Sequence, residues 1–160
     1  MIRLGKLTDY GLVLMTCMAR SHHDTLHTAR GLAFESRLPL STVSKLLKIL
    51  LQGGLLLSRR GVNGGYVLAR EATAISVAEI IVALEGPIAL TECSGDVAGL
   101  CELEGHCAIK SNLRAISQAV RGALENVMLS DLVHPLRLIA IQNDRGQLVT
   151  TIDVLAGRVQ

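Results

Sequence analysis

Apolar residues return at helical spacing from the first turns of the chain. Tyr10, Val13, Leu14, Cys17 and Met18 share one stripe and predict a helix over about Thr8–Arg20 with that stripe buried. Cys17 lies inside the stripe, so it reads as a small core residue rather than a ligand or nucleophile. A polar loop, Ser21–His27, leads to a short second helix over Thr28–Ser36 that buries Ala29, Leu32 and Ala33. Pro39 marks a turn, and Ser41 is the expected N-cap of a third helix. In that helix Val43, Leu46, Leu47, Leu50 and Leu51 form one apolar face, which ends at Gly53-Gly54.

The period then changes. Leu55–Leu57 and Val67–Leu68 are short apolar runs separated by Ser58-Arg59-Arg60-Gly61-Val62-Asn63-Gly64-Gly65-Tyr66, which predicts a glycine-turned β-hairpin with paired arginines at its mouth. Ile75-Ser76-Val77-Ala78-Glu79-Ile80 contains a capping box, Ser76 with Glu79, and a hydrophobic staple, Ile75 with Ile80. A fourth helix therefore begins at Ser76 and ends near Glu85, before Gly86-Pro87. From Ala108 to Val127 the apolar positions Ile109, Leu113, Ile116, Val120, Ala123 and Val127 alternate steps of four and three. This is a coiled-coil seam, most simply satisfied by the same helix of a second subunit. A brief helix over Ser130–Val133 follows, and beyond Pro135 a hairpin is expected, with Leu138–Gln142 and Gln147–Val154 joined around Asn143-Asp144-Arg145-Gly146. The tail is assigned no function and is expected to be partly disordered.

Composition narrows the class. The chain has 160 residues, 49% of them hydrophobic but only 2% aromatic, with no Trp. A core of Leu, Ile, Val and Ala in one small domain plus an oligomerisation arm is the expected build. No apolar run reaches the roughly 18 to 20 residues that cross a bilayer. Asp9 and Tyr10 interrupt the amino-terminal imitation of a signal peptide, and a cytoplasmic protein is expected.

Charge is unevenly distributed. Residues 1–70 hold ten Lys and Arg against three Asp and Glu, whereas residues 71–160 hold six against eleven. A basic amino-terminal half is the footprint of a polyanion partner. The outer face of the third helix carries Ser41, Thr42, Ser44, Lys45 and Lys48. Small polar groups that reach base edges beside lysines that reach phosphates suit a recognition helix. Arg59, Arg60 and Asn63 on the hairpin complete the DNA-binding candidates, since an arginine at a wing can enter a narrow minor groove. The hairpin lacks the ending of a P-loop and the spacing of a dinucleotide fingerprint. His22, His23 and His27 lack a helical or Cys-paired frame and read as solvated loop residues.

Cys93, Cys101 and Cys107 fall between the fourth and fifth helices, seven and five residues apart, in a segment that contains Ser94, Gly95 and Gly99. Clustered loop cysteines in a reducing compartment point to a metal site. The tight pairs typical of zinc are absent, and spacing alone leaves an iron–sulfur cluster and zinc equally open, with unligated reactive thiols behind them.

Together, Leu7-Thr8-Asp9-Tyr10, Leu40-Ser41 with its helix, Arg60-Gly61 with Gly64-Gly65-Tyr66, and the three-cysteine loop resemble the bacterial Rrf-type winged-helix transcription regulators over about residues 1–134. That group includes the Isc and Suf iron–sulfur-biogenesis regulators and a nitric-oxide-sensing repressor. The Glu92-Cys93 start of the loop and its wide first spacing are similar to the Suf-type regulators.

The resemblance implies a mainly α fold: a winged helix-turn-helix domain over 1–85, a cluster-binding loop over 86–107, dimerisation helices over 108–134 and a tail over 135–160. It implies a homodimer on a double-stranded DNA operator, with one [2Fe–2S] or [4Fe–4S] cluster per subunit on Cys93, Cys101 and Cys107. The Isc-type fourth ligand, a histidine three residues after the last cysteine, is replaced here by Lys110. Asp9 matches the carboxylate that completes the site in the nitric-oxide sensor, with His106 and Glu102 as further candidates. The implied role is a repressor, not an enzyme, that senses cluster status and controls Suf-type assembly genes. Alternatives are a nitric-oxide or redox sensor of the same family and, in another class, an iron–sulfur electron carrier or redox enzyme. A membrane partner and a small-molecule substrate are not expected.

Overall fold

The computed structural model describes residues 3–94, 101–102, 105–142 and 148–153. Gly95, Gly99, the turn Asn143-Asp144-Arg145-Gly146, and Gln147 and Val154 of the return strand lie outside the described residues. Five α-helices dominate: α1 (Lys6–Ala19), α2 (Ala29–Ser36), α3 (Leu40–Gln52), α4 (Val77–Glu85) and α5 (Lys110–Glu125). Two antiparallel hairpins accompany them, β1 (Leu56–Arg59) with β2 (Gly65–Leu68), and β3 (Arg137–Gln142) with β4 (Leu148–Asp153).

α1 is the central helix. Leu14, Met15 and Met18 are fully buried against Leu32 of α2, Leu46, Leu47 and Leu50 of α3, and Ile80 of α4. The buried face of α1 is rotated from the one that spacing predicts: Val13 is 41% exposed, while Gly11 and Met15 are buried. Gly11 faces α4 there: a Cβ would run into the outer methyl of Leu84, so glycine lets the two helices meet without moving that side chain.

The start of α3 also differs from expectation. Pro39, with φ −58° and ψ 138°, is the N-cap, and Ser41 lies inside the first turn as an exposed residue. Proline's fixed φ pre-sets the entry, and Val43 N–H bonds to Pro39 O at 3.0 Å. α2 ends at Arg37 in the left-handed conformation (φ 56°), which reverses the chain into α3 and completes the helix-turn-helix.

α4 begins as predicted. Ser76 Oγ accepts from Glu79 N at 3.2 Å, and Glu79 Oε2 accepts from Ser76 N at 2.9 Å, with Ile75 and Ile80 both buried beneath. The chain leaving α5 returns to this point: Val77 N–H bonds to Val127 O and Leu129 N–H to Ile75 O, each at 2.8 Å. Leu129, at the start of a 3-10 turn over Leu129–Val133, is fully buried in the same core as α1. Two backbone bonds and a buried leucine thus seat the carboxyl end of α5 on the helix-turn-helix.

Candidate functional site

Two features carry chemistry: a basic face formed by α3 and the hairpin β1–β2, and the cysteine connector between α4 and α5.

On the first, Val43, Leu46, Leu47 and Leu50 are fully buried, which leaves Ser41, Ser44, Lys45 and Lys48 exposed along the opposite side of α3, with Thr42 half-buried beside them. The hairpin pairs Leu56 with Leu68 and Arg59 with Gly65. Leu56 anchors it in the core, while Arg59, Arg60 and Asn63 are exposed and Val62 stands free at its tip. Its glycines are structural. Gly61 has φ 120°, and a Cβ on Gly65 would lie 2.5 Å from His27 O. That close approach lets His27 and Tyr66 exchange both backbone hydrogen bonds, at 2.9 and 2.8 Å, so the α1–α2 loop adds a third short edge to the wing.

Thr28 and Ala29, at the start of α2, line one concavity with Arg59, Arg60 and Tyr66. Thr28 caps α2 by accepting from Gly31 N at 3.0 Å. Guanidinium groups beside a helix amino terminus favour an anion such as a DNA phosphate. Charge and period alone did not find this neighbourhood. The available signal was Thr28 as a capping hydroxyl followed by Arg30.

On the second feature, Cys93 lies in a 3-10 turn over Glu92–Ser94, and Cys101 and Cys107 are free, half-buried thiols. Cys107 O accepts from Lys110 N at 3.3 Å, so the third cysteine abuts the amino terminus of α5. Ile109 provides no side-chain cap there, and the first-turn amides favour negative charge on the connector.

The other end of the connector is held by a polar relay. Leu90 N–H donates to Ser117 Oγ at 3.1 Å, Ser117 Oγ donates to Ser94 Oγ at 2.9 Å, and Ser94 Oγ donates to Thr91 O at 2.8 Å. Ser117 is 3% exposed, the one residue of α5 that is buried, and it was not among the expected functional residues. A serine inside an apolar seam pattern is the only trace it leaves in the sequence.

Asp9 is exposed in the first turn of α1, and Glu102 and His106 are exposed on the connector. Cys17 is 6% exposed in the core, and burial, reinforced by Glu35 and opposed by Arg20, pushes its thiol pKa up, as suits an inert structural cysteine. His22 is exposed, as a solvated loop residue would be, whereas His23 and His27 depart from that reading. His23 is only 27% exposed and abuts Glu71, and burial pushes the His27 pKa down against a smaller opposing effect of Glu35.

The predicted seam on α5 splits. Ile109 and Ile116 are 55% and 51% exposed and Ala123 is exposed, an apolar row repeating every seven residues. Leu113 and Val120 are half-buried and Val127 is 4% exposed, packed on Val77 and Ile81 of α4.

Residues 4–135 match the family Rrf2, described as iron-dependent transcriptional regulator. The chain belongs to the Rrf2 family. The HTH-type transcriptional regulator IscR of Klebsiella pneumoniae (strain 342) is 32% identical over 108 residues, 68% of this chain and 65% of that protein, so the match spans less than two thirds of that relative. IscR of Yersinia pestis is 28% identical over 133 residues, 83% of this chain and 80% of its own length. Among solved structures, CymR, the global cysteine regulator of B. subtilis, superposes with a TM-score of 0.65 at 32% identity, covering 83% of this chain and 97% of that one.

This Rrf2 chain accordingly has the winged-helix fold of its relatives, which are transcription regulators rather than enzymes. Among the described residues no helix is long and apolar enough to cross a membrane.

Proposed function

We propose that this protein is a homodimeric repressor that binds a DNA operator through α3 and the wing, and that Cys93, Cys101 and Cys107 hold an iron–sulfur cluster whose state sets operator affinity. The observation that carries the reading is the seating of the cysteine connector. Its first cysteine is tied to α5 through Ser94 and Ser117, its last abuts the start of α5, and α5 is stitched to the helix-turn-helix at its far end. A change at the thiols therefore bears on the helix that positions the DNA-binding head.

The residues present suit such a group. Two described thiols are free and half-buried, and the uncapped start of α5 favours an anionic cluster. When bound, the cluster supplies a ligand- and redox-sensitive anionic centre. Asp9 is the proposed fourth ligand, contributed by the partner subunit, with Glu102 and His106 the other carboxylate and imidazole candidates. Ser94 and Ser117 orient the connector, and the exposed row Ile109, Ile116 and Ala123 is the proposed seam with a second copy. Ser41, Thr42, Ser44 and Asn63 read base edges or position the backbone, while Lys45, Lys48, Arg59 and Arg60 neutralise phosphates.

The proposed division follows function: a DNA-binding unit over 1–85, a connector over 86–107, dimer helices over 108–134 and a tail over 135–160. The Glu92-Cys93 start and wide first spacing favour Suf-type assembly genes as the targets, and such a regulator works in the cytoplasm.

The test is anaerobic purification with absorption and Mössbauer spectra, alongside binding to promoter fragments of cluster-assembly genes. Coloured protein is expected, with Cys101→Ala losing the colour and shifting operator affinity by roughly 5- to 150-fold. Colourless wild-type protein whose affinity is indifferent to all three thiols would overturn the reading.

A further inference from the structure

The loop between α1 and α2 and the segment after β2 bring together three donors that the DNA-binding reading leaves unused. His22, His23 and Glu71 each offer a ligand atom, and those atoms all lie within 4.8 Å of one another. Their backbones are held independently. His22 O accepts from Thr25 N at 2.8 Å in a tight turn, and Glu71 O accepts from Ala74 N at 2.8 Å at the start of a 3-10 turn over Ala72–Ala74.

His23 supplies the decisive detail. Its Nδ1 is buried and has no directed hydrogen bond among the described residues, yet Glu71 Oε1 lies 2.5 Å from it. A ring nitrogen and a carboxylate oxygen at that separation need positive charge between them, from a ring proton or from a cation bound by both, and no hydrogen bond in line with the ring supplies it. The other ring nitrogen, Nε2, lies 3.4 Å from Asp24 Oδ1. An imidazole with one nitrogen free for a metal and the other beside a carboxylate is the arrangement that fixes the tautomer of ligating histidines. The His22 ring lies beside that of His23, with centroids 4.7 Å apart.

We propose that His22, His23 and Glu71 form a binding site for a divalent transition-metal ion of the zinc class. Two imidazoles and a carboxylate are borderline donors that suit zinc, cobalt or nickel rather than magnesium or calcium. Metal–ligand bonds of about 2.0–2.2 Å place tetrahedral donors about 3.3 Å apart. Glu71, with 57% of its side chain exposed, is free to swing outward to that separation, and water completes the coordination. The ion would tie the α1–α2 loop to the exit of β2. Because His27 of that loop pairs with Tyr66, the tie closes around the root of the wing. The inference stands apart from the DNA-binding and cluster readings, which use none of the three residues.

The test is titration of the full chain carrying Cys93→Ser, Cys101→Ser and Cys107→Ser with zinc(II) by calorimetry and with cobalt(II) by absorption. One equivalent is expected, with a cobalt spectrum of nitrogen and oxygen ligands and no thiolate charge-transfer band. His23→Ala, His22→Ala and Glu71→Gln should each weaken binding more than about tenfold, and His134→Ala should leave it unchanged. Should the triple serine chain fail to fold, imidazole spectra of the wild-type chain serve instead, where zinc is expected to shift the His22 and His23 rings and leave His134 in place. Absence of a saturable equivalent, or binding that survives His22→Ala with His23→Ala, would overturn the site.

Discussion

Ser117, buried midway along α5, donates its hydroxyl hydrogen to Ser94 Oγ at 2.9 Å and accepts from Leu90 N at 3.1 Å. One side chain thereby satisfies two polar groups of the cysteine connector and fixes the residue next to Cys93. Ser117→Ala leaves both groups without that partner, which costs about 1–3 kcal/mol for buried polar atoms. Urea unfolding should show a loss of that size, with faster amide exchange at Leu90. If the connector holds a cluster, the same variant loses its absorbance sooner on exposure to air. Unchanged unfolding and exchange would mean that the relay is not a tether.

The basic face makes a prediction in salt. Lys45 and Lys48 line exposed α3, and Arg59 and Arg60 line the concavity with the start of α2. Each phosphate contact contributes about 0.9 to the slope of log affinity against log salt. Arg60→Ala and Lys48→Ala should each reduce the slope by about that amount and weaken specific and non-specific duplexes alike. Ser44→Ala, by contrast, should weaken the specific site selectively with the slope intact. Titrations at several salt concentrations distinguish the two, and an unaltered slope in Arg60→Ala would remove the wing from the interface.

Elements whose cause lies within a few neighbouring residues were legible in the sequence. The capping box of Ser76 with Glu79 starts α4, the apolar face of α3 is buried as its spacing demands, and the glycine-turned hairpin lies where Gly61 and Gly64-Gly65 place it. Features that depend on what a second element brings were not. Val13 is exposed because α1 turns Gly11 and Met15 inward instead, with Gly11 against Leu84, and Pro39 rather than Ser41 caps α3 because its φ already suits the entry. The same applies to the candidate sites. The cysteines announce themselves by type and spacing, whereas Ser117 opposite Ser94, Thr28 beside Arg59, and His23 against Glu71 meet across 23, 31 and 48 positions of chain.

The divided seam of α5 predicts how association fails. Ile109 and Ile116 are exposed on the seven-residue row, but Val127 already packs on Val77 and Ile81. Ile116→Glu should therefore give a folded monomer, because it places a charge at the seam without touching the core. Val127→Ala should cost folding stability, about 1–2 kcal/mol, and leave association unchanged. Sedimentation with thermal unfolding separates the two, and a dimer that persists in Ile116→Glu would place the contact elsewhere.

Acid should loosen the wing root before it disturbs α4. Burial holds the His27 pKa below its ordinary 6.5, with Glu35 pulling weakly the other way, so the folded chain keeps this ring neutral where the unfolded chain has taken a proton. Unfolded protein then binds more protons, and stability falls as pH drops below about 6.5, until His27 protonates in the fold as well. Glu79 acts lower on the scale. Burial raises its pKa, but the Ser76 amide and the Arg70 guanidinium outweigh that and hold it below its ordinary 4.5, so its contribution is intact above that value and lost as pH falls through the folded one. Urea midpoints from pH 8 to 3 should therefore decline in two windows. His27→Gln should flatten the upper window alone, and Glu79→Gln the lower. Because His27 shares its backbone bonds with Tyr66, amide exchange at Tyr66 should quicken in the upper window as well. A midpoint curve between pH 7 and 5 that His27→Gln leaves unchanged would show that this ring does not govern the wing.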